Sequence, residues 1–311
     1  MKQNVTFRET VRAIDAEAIA GDFAASVLLK LPVEDWLHVL MSEPAWCRLG
    51  TFEMLLRAAH DELDVSPRRS LAITAFVLSA FDRAPSRAPL RVARLRVRGI
   101  AWKEHANALW SLGRYDEAAE AISRALAIFA PDLFALDRAV ATMVAAMIDN
   151  ATGRSAQALQ LLDGCERTFV SCRALRHELQ VLQLRGYFLF DLHRYDQARS
   201  TWLRAEDAAQ RLGDQRDWTR IQHNLGACAV EANEMGLAQE YFVLAAERFS
   251  RLGMATEALR SRGRLAELPL IFGCPTTAVA ELDPTREAFC ALEMRAEVER
   301  IQELKDGVRR S

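Results

Sequence analysis

The residues that could do chemistry in this chain are its six histidines and six cysteines. His38, His60, His105, His177, His193 and His223 are scattered, and none pairs with a Cys or an acid at a spacing that would hold a metal. Cys47, Cys165, Cys172, Cys228, Cys274 and Cys290 include no C-x-x-C pair. In a long helical chain they read as small buried hydrophobes in a reducing compartment. No G-x-x-x-x-G-K-[ST], H-E-x-x-H, G-x-S-x-G or dinucleotide glycine fingerprint occurs. Glu104 and His105 stand beside Trp102, and the expectation there is surface polar groups next to a packing tryptophan. The sequence therefore predicts no enzyme, no catalytic residue, no metal and no cofactor.

Charge recognition is better provided for. Arg83, Arg87, Arg91, Arg94, Arg96 and Arg98 fall within Asp82–Gly99. Arg91, Arg94 and Arg98 share one helical face and form a candidate patch for an acidic partner. No aromatic interleaves these arginines, so nucleic-acid bases would find no stacking platform. Asp116, Glu117 and Glu120 are expected to neutralise the patch from the following helix pair. The net charge of −2 gives no global pull toward nucleic acid or an acidic membrane.

The elements that position these groups are helical. Ala, Leu, Arg and Glu dominate, while aromatics make up only 8% and there are just 9 prolines among 311 residues. No run of alternating β-branched residues argues for a sheet. The N-terminal MKQNVTFRET lacks a hydrophobic signal core, and no apolar stretch reaches membrane-spanning length, so the expected location is cytoplasmic.

A repeat organises the helices. Ala118, Ala158, Ala198, Ala238 and Ala278 stand 40 residues apart. Twelve positions before each stands Ala106, Ala146, Gly186, Gly226 or Ala266, all small. Four positions after each stands Ile122, Leu162, Trp202, Phe242 or Leu282, all large and apolar. Gly113, Gly153, His193, Asn233 and Gly273 share a column of residues that tolerate the left-handed conformation ending a helix. Each period thus reads as a helical hairpin, with the small slots allowing the two helices to approach closely. The large slots are expected to fill the gap between one hairpin and the next. One hairpin cannot bury both faces, so stability must come from stacking.

The run Leu112-Gly-Arg-Tyr-Asp-Glu-Ala118, with Trp102 and Ala106 before it and Ala125 after, resembles a tetratricopeptide repeat (TPR). His193-Arg-Tyr-Asp-Gln-Ala198 is a second such copy, and the resemblance covers roughly residues 65–300. HEAT repeats share the longer period but not the small-residue columns or the Leu-Gly-x-Tyr turn. The usual TPR unit is about 34 residues, so the extra length here implies longer helices or longer loops. The fold expected is an all-α, right-handed α-solenoid of TPR-like hairpins. Residues 1–64 would form a helical N-terminal cap containing the runs Phe23–Leu31 and Trp36–Met41. Repeats anchored near 72, 118, 158, 198, 238 and 278 would occupy 65–293, with the Pro85/Pro89 segment supplying a longer connection. A solvating C-terminal helix and tail would fill 294–311, and Pro284 should kink or shorten its helix.

The resemblance also implies a concave groove lined by the first helix of each hairpin. In this register its residues are Lys103, Asn107, Trp110, Met143, Met147, Gln183, Tyr187, Phe190, His223, Asn224, Arg260 and Arg264. In TPRs that clamp a C-terminal carboxylate, basic and Asn residues converge from three successive repeats. Asn224, Arg260 and Arg264 fit that pattern, while Gln183 and Tyr187 depart from it. Lys103 and Asn107 fit its first pair in another repeat, where Val144 then fails the next slot. A full clamp is not expected, but Arg260 and Arg264 suit an acidic peptide. Units near 40 residues resemble those of bacterial regulatory TPR proteins and peptide-responsive receptors. The function implied is a protein- or peptide-binding adaptor or sensor subunit. The alternatives are an inhibitor or regulatory subunit of a partner enzyme such as a protease, or a nucleic-acid-associated adaptor using Arg83–Arg98.

Overall fold

The computed structural model describes residues 7–63, 65–83, 90–272, 275–291 and 295–310. Pro85, Arg87, Pro89, Gly273 and Cys274 lie outside them. Among the described residues there is no strand. The chain divides into two compact units, Met1–Cys172 and Arg173–Ser311.

The N-terminal unit holds α1 (Phe7–Leu28), α2 (Trp36–Ser42), α3 (Leu49–Asp61), α4 (Pro67–Ala80), α5 (Arg91–Ser111), α6 (Tyr115–Ile128), α7 (Ala135–Ala151) and α8 (Ser155–Ser171). The C-terminal unit holds α9 (Leu175–Asp191), α10 (Tyr195–Leu212), α11 (Gln215–Glu231), α12 (Met235–Arg251), α13 (Ala255–Ile271), α14 (Pro275–Ala291) and α15 (Arg295–Arg310). From α7 onward each helix starts 20 residues after the last, at 135, 155, 175 and so on to 295. Most of these helices are 17 residues long. The six extra residues of each period therefore lie in longer helices, while the turns stay at two or three residues.

Backbone bonds close the turns within the hairpins. Gly113, Gly153, His193 and Asn233 adopt φ of +73°, +82°, +57° and +60°. The next residue reaches back to close a Schellman turn, as in Arg114 N–H to Leu109 O and Arg194 N–H to Leu189 O, both 2.9 Å. A second left-handed column ends the other helices at Arg173, Gly213 and Gly253. Nothing in the type of Arg173 announces that conformation.

Ala118, Ala158, Ala198 and Ala238 are all fully buried at equivalent places. The large residues reach the next hairpin, as Phe242 shares a core with Leu268 of α13, and they also pack inside their own. A Cβ on Gly186 would lie 2.1 Å from the Trp202 indole nitrogen, and one on Gly226 would lie 2.8 Å from the Phe242 ring. Small and large slots are thus one contact seen from two sides, holding α9 to α10 and α11 to α12.

The cap is less regular. α1 stops at Leu28, short of the expected Leu31. Trp36, Phe52 and Phe81 are buried in one core that runs on into α5. The Trp36 indole N–H donates to Leu31 O at 3.1 Å. In α4 the buried residues are Ser70, Ile73, Thr74, Phe76, Val77 and Ala80, while Ala72 is half-buried and Ser79 exposed. Pro284 does not shorten its helix, since α14 runs unbroken for 17 residues.

Candidate functional site

In the C-terminal unit the first helices of successive hairpins are bonded to one another. The Asn224 Nδ2–H donates to the Tyr187 hydroxyl at 3.0 Å, joining α11 to α9. Arg220 of α11 pairs with Glu257 of α13 at 3.5 Å. Arg260 Nε donates to Glu297 Oε1 at 3.0 Å, joining α13 to α15. A regular stride of helix starts brings residues 37 apart in sequence side by side, so one geometry recurs with different chemistry.

At the end of this series lies a cavity of about 310 Å³, lined by His223, Arg260, Arg264, Glu297 and Arg300. Beneath it sits Glu267, which is buried. Its carboxylate meets Arg264 Nη1 at 3.3 Å and Arg300 Nη2 at 2.7 Å. Three guanidiniums therefore share two carboxylates, which leaves the cavity with surplus positive charge. Burial pushes His223 down to about 4, helped by Arg264, Arg260 and Arg300, so it is neutral at pH 7. The Ser261 hydroxyl donates to Glu257 O at 3.0 Å. It must then accept from His223 Nδ1–H, 2.9 Å away, which leaves Nε2 as an acceptor. Such a cavity can take an anionic group, and carboxylates fit guanidinium forks. Arg300 was not legible beforehand, because it belongs to a helix read as a cap outside the repeats.

The other groove residues of this unit are placed as follows. Phe190 and Gln183 are half-buried and Asn224 is buried, while Tyr187 is exposed. Tyr187 and Phe190 both pack on Trp202, with ring centroids 5.6 and 5.9 Å away. They form an aromatic cluster with one edge in solvent.

In the N-terminal unit the polar groups turn inward. Glu104 is 5% exposed rather than on the surface, which corrects the expectation. The Lys103 ammonium contacts one of its oxygens. Asn107 Nδ2–H donates to the other at 3.0 Å, and His60 Nδ1 lies 3.3 Å from it, tying α3 to α5. Burial alone would raise Glu104, but the Lys103 charge and the His60 contact outweigh it and hold the carboxyl at about 2. His105 is engaged separately, with Nδ1 3.0 Å from the Thr74 hydroxyl. Trp110 and Met147 are half-buried, and Met143 is a core residue.

The arginine segment is largely occupied by its own unit. The Arg94 guanidinium lies 4.6 Å over the Phe81 ring and donates to Phe81 O at 3.0 Å. Asp82 sits 3.7 Å from Arg94 and 3.9 Å from Arg98. Arg96 bonds Asp137 of α7 at 2.9 Å. The neutralising acids are thus Asp82 and Asp137, whereas Glu117 pairs with Arg114 at 2.7 Å. Arg91 is exposed.

Cys47, Cys165 and Cys228 are buried, but Cys172 and Cys290 are exposed, contrary to the uniform burial expected. Burial pushes the Cys228 thiol up to about 12, which makes it a poor nucleophile. Among the described residues no group of three or more His, Cys, Asp or Glu could hold a metal ion. No described helix is long and apolar enough to cross a membrane.

No family model matches the chain, and no curated protein does. Solved structures do resemble it. One is a putative kinesin light chain from Podosopora anserina with nearly identical TPR-like repeats, at 17% identity and TM-score 0.52, covering 65% of this chain and 98% of that one. Another is the apo quorum sensor NprR from B. thuringiensis, at 10% identity and TM-score 0.64, covering 94% and 81%. A third is the Rap conjugation gene regulator of plasmid pLS20 in complex with the Phr* peptide, at 13% identity and TM-score 0.56, covering 81% and 78%. The chain therefore has the all-α, TPR-like repeat fold.

Proposed function

We propose that this chain is a cytoplasmic, non-enzymatic binding scaffold, acting as a regulatory adaptor or sensor subunit that recognises an acidic peptide or protein segment. The observation that carries this reading is the cavity in which Arg260, Arg264 and Arg300 converge with only two carboxylates between them. An acidic side chain entering it gains charge-assisted, fork-shaped hydrogen bonds. The exposed edge of Tyr187 supplies an aromatic contact on the same unit. The Rap regulator bound to the Phr* peptide supports a peptide as the kind of partner.

Copurification with the intact chain, followed by mass spectrometry, identifies the partner. The double variant Arg260→Glu/Arg264→Glu should then bind it at least about tenfold more weakly in a calorimetric titration. Unchanged affinity in that variant would remove the acidic-segment reading. Capture of an enzyme would favour the role of regulatory or inhibitory subunit. A nucleic-acid role is disfavoured by the internal pairing of Arg94, Arg96 and Arg98.

A further inference from the structure

The cavity of the C-terminal unit already holds one carboxylate at its rim. Glu297 of α15 accepts from Arg260 Nε at 3.0 Å, in the position an acidic side chain of a partner would take. The two acids of this cluster differ in their freedom. Glu267 has a side chain only 4% exposed and is wedged between Arg264 and Arg300, so it is a fixed counter-ion. Glu297 is 20% exposed and its partner Arg260 is 53% exposed, so the pair is open to solvent. Rim ion pairs of this kind are weak, because water screens them and two long side chains lose freedom in forming them. Once Glu297 swings away, three guanidiniums face one buried carboxylate, and the surplus positive charge of the cavity doubles from one to two.

We propose that Glu297 is a built-in competitor: it occupies Arg260 until a carboxylate of the partner displaces it, and Arg300 then becomes a direct ligand contact. This rests on the reading of the cavity as an acidic-segment site. It adds that α15, expected only to solvate the end of the array, sets the affinity of that site. The group recognised is a carboxylate, since that is what the guanidinium already holds.

The test uses the full chain and a fluorescein-labelled octaglutamate peptide, with binding read by fluorescence anisotropy at low salt. Glu297→Gln should tighten binding by about fivefold, the worth of a released rim pair, and Arg300→Gln should weaken it by a similar factor. Glu299→Gln is the control, because it removes the same charge from an exposed position on the same helix. If Glu299→Gln tightens binding as much as Glu297→Gln, the effect is net charge and the competitor idea falls. If Glu297→Gln leaves affinity unchanged or weaker while Arg260→Glu/Arg264→Glu abolishes binding, the site stands and the competitor idea falls. If octaglutamate binds neither the unaltered chain nor Glu297→Gln, the acidic-segment reading falls as well. Circular-dichroism spectra at the assay temperature check that each variant is folded.

Discussion

Glu104 of the N-terminal unit lies beneath the surface among its partners, while Arg260 and Arg264 of the C-terminal unit reach into solvent. Glu104 is enclosed by Lys103, Asn107 and His60 and fastens the cap to the first repeat. Arg260 and Arg264 occupy the same kind of helix face, yet their side chains are about half exposed. Charged residues at one repeat position, Glu104 and Arg264, are therefore enclosed in one unit and about half exposed in the other. What separates the two cases is α3, which reaches over α5 from outside the regular stride.

The largest expected effect tests the cohesive side of that contrast. Glu104→Gln should destabilise the N-terminal unit by about 3–5 kcal/mol, since it strands the Lys103 ammonium in a site only 13% exposed. Hydrogen exchange resolved along the chain should show faster opening in α3 and α5, with the C-terminal unit unaffected. A loss below about 1 kcal/mol would mean that water reaches Lys103 and the cluster is not a fastening.

Acidification should separate the units next. His223 is held at about 4 in the folded C-terminal unit against an ordinary value of 6.5. The unfolded chain therefore binds the extra proton first, and stability present above pH 6.5 is lost as pH falls toward 4. The full loss is about 3 kcal/mol, from 1.36 kcal/mol per unit. In the N-terminal unit His60 is raised by its bond to Glu104, so its contribution is present below pH 6.5 and fades as pH rises through its folded value. Burial lowers His105 and opposes that trend. Glu104 itself gives way only between pH 4.5 and about 2. Exchange measured from pH 7 to 4.5 should loosen α11 and α13 before α3 and α5. Loosening in the reverse order would show that His223 is not a buried neutral group.

The smallest effect concerns the turns. Arg173 adopts φ +53°, whereas the corresponding turns at Gly213 and Gly253 are already relaxed. Arg173→Gly should stabilise the C-terminal unit by about 0.5–1 kcal/mol, because relief of left-handed strain exceeds the added freedom of the unfolded chain. Thermal melting measures it. A fall in stability would mean that the Arg173 side chain makes contacts worth more than the strain.

These contrasts also explain what could be read in advance. The anchors at Ala118 to Ala238 were legible because close helix approach admits almost nothing larger, so size alone marks the place. His193 and Asn233 could be placed only because Gly113 and Gly153 share their column. Arg173 could not, since arginine carries no preference for its backbone angle. Trp202 was visible as large, but only coordinates show that it covers Gly186 in its own hairpin. Burial of Glu104 has no sequence signature, because its partner His60 comes from a region with no repeat. Arg260 and Arg264 read as candidates by position and charge. Glu297 and Arg300 carry no such signal, because by sequence α15 reads as an end rather than as a further period.

The even spacing of helix starts has a consequence for descent. When helices and turns have fixed lengths, a stretch of forty residues can be copied or lost without disturbing the fit of what flanks it. Lineages carrying such a chain can then lengthen or trim it in whole modules while exposed side chains drift to suit new guests.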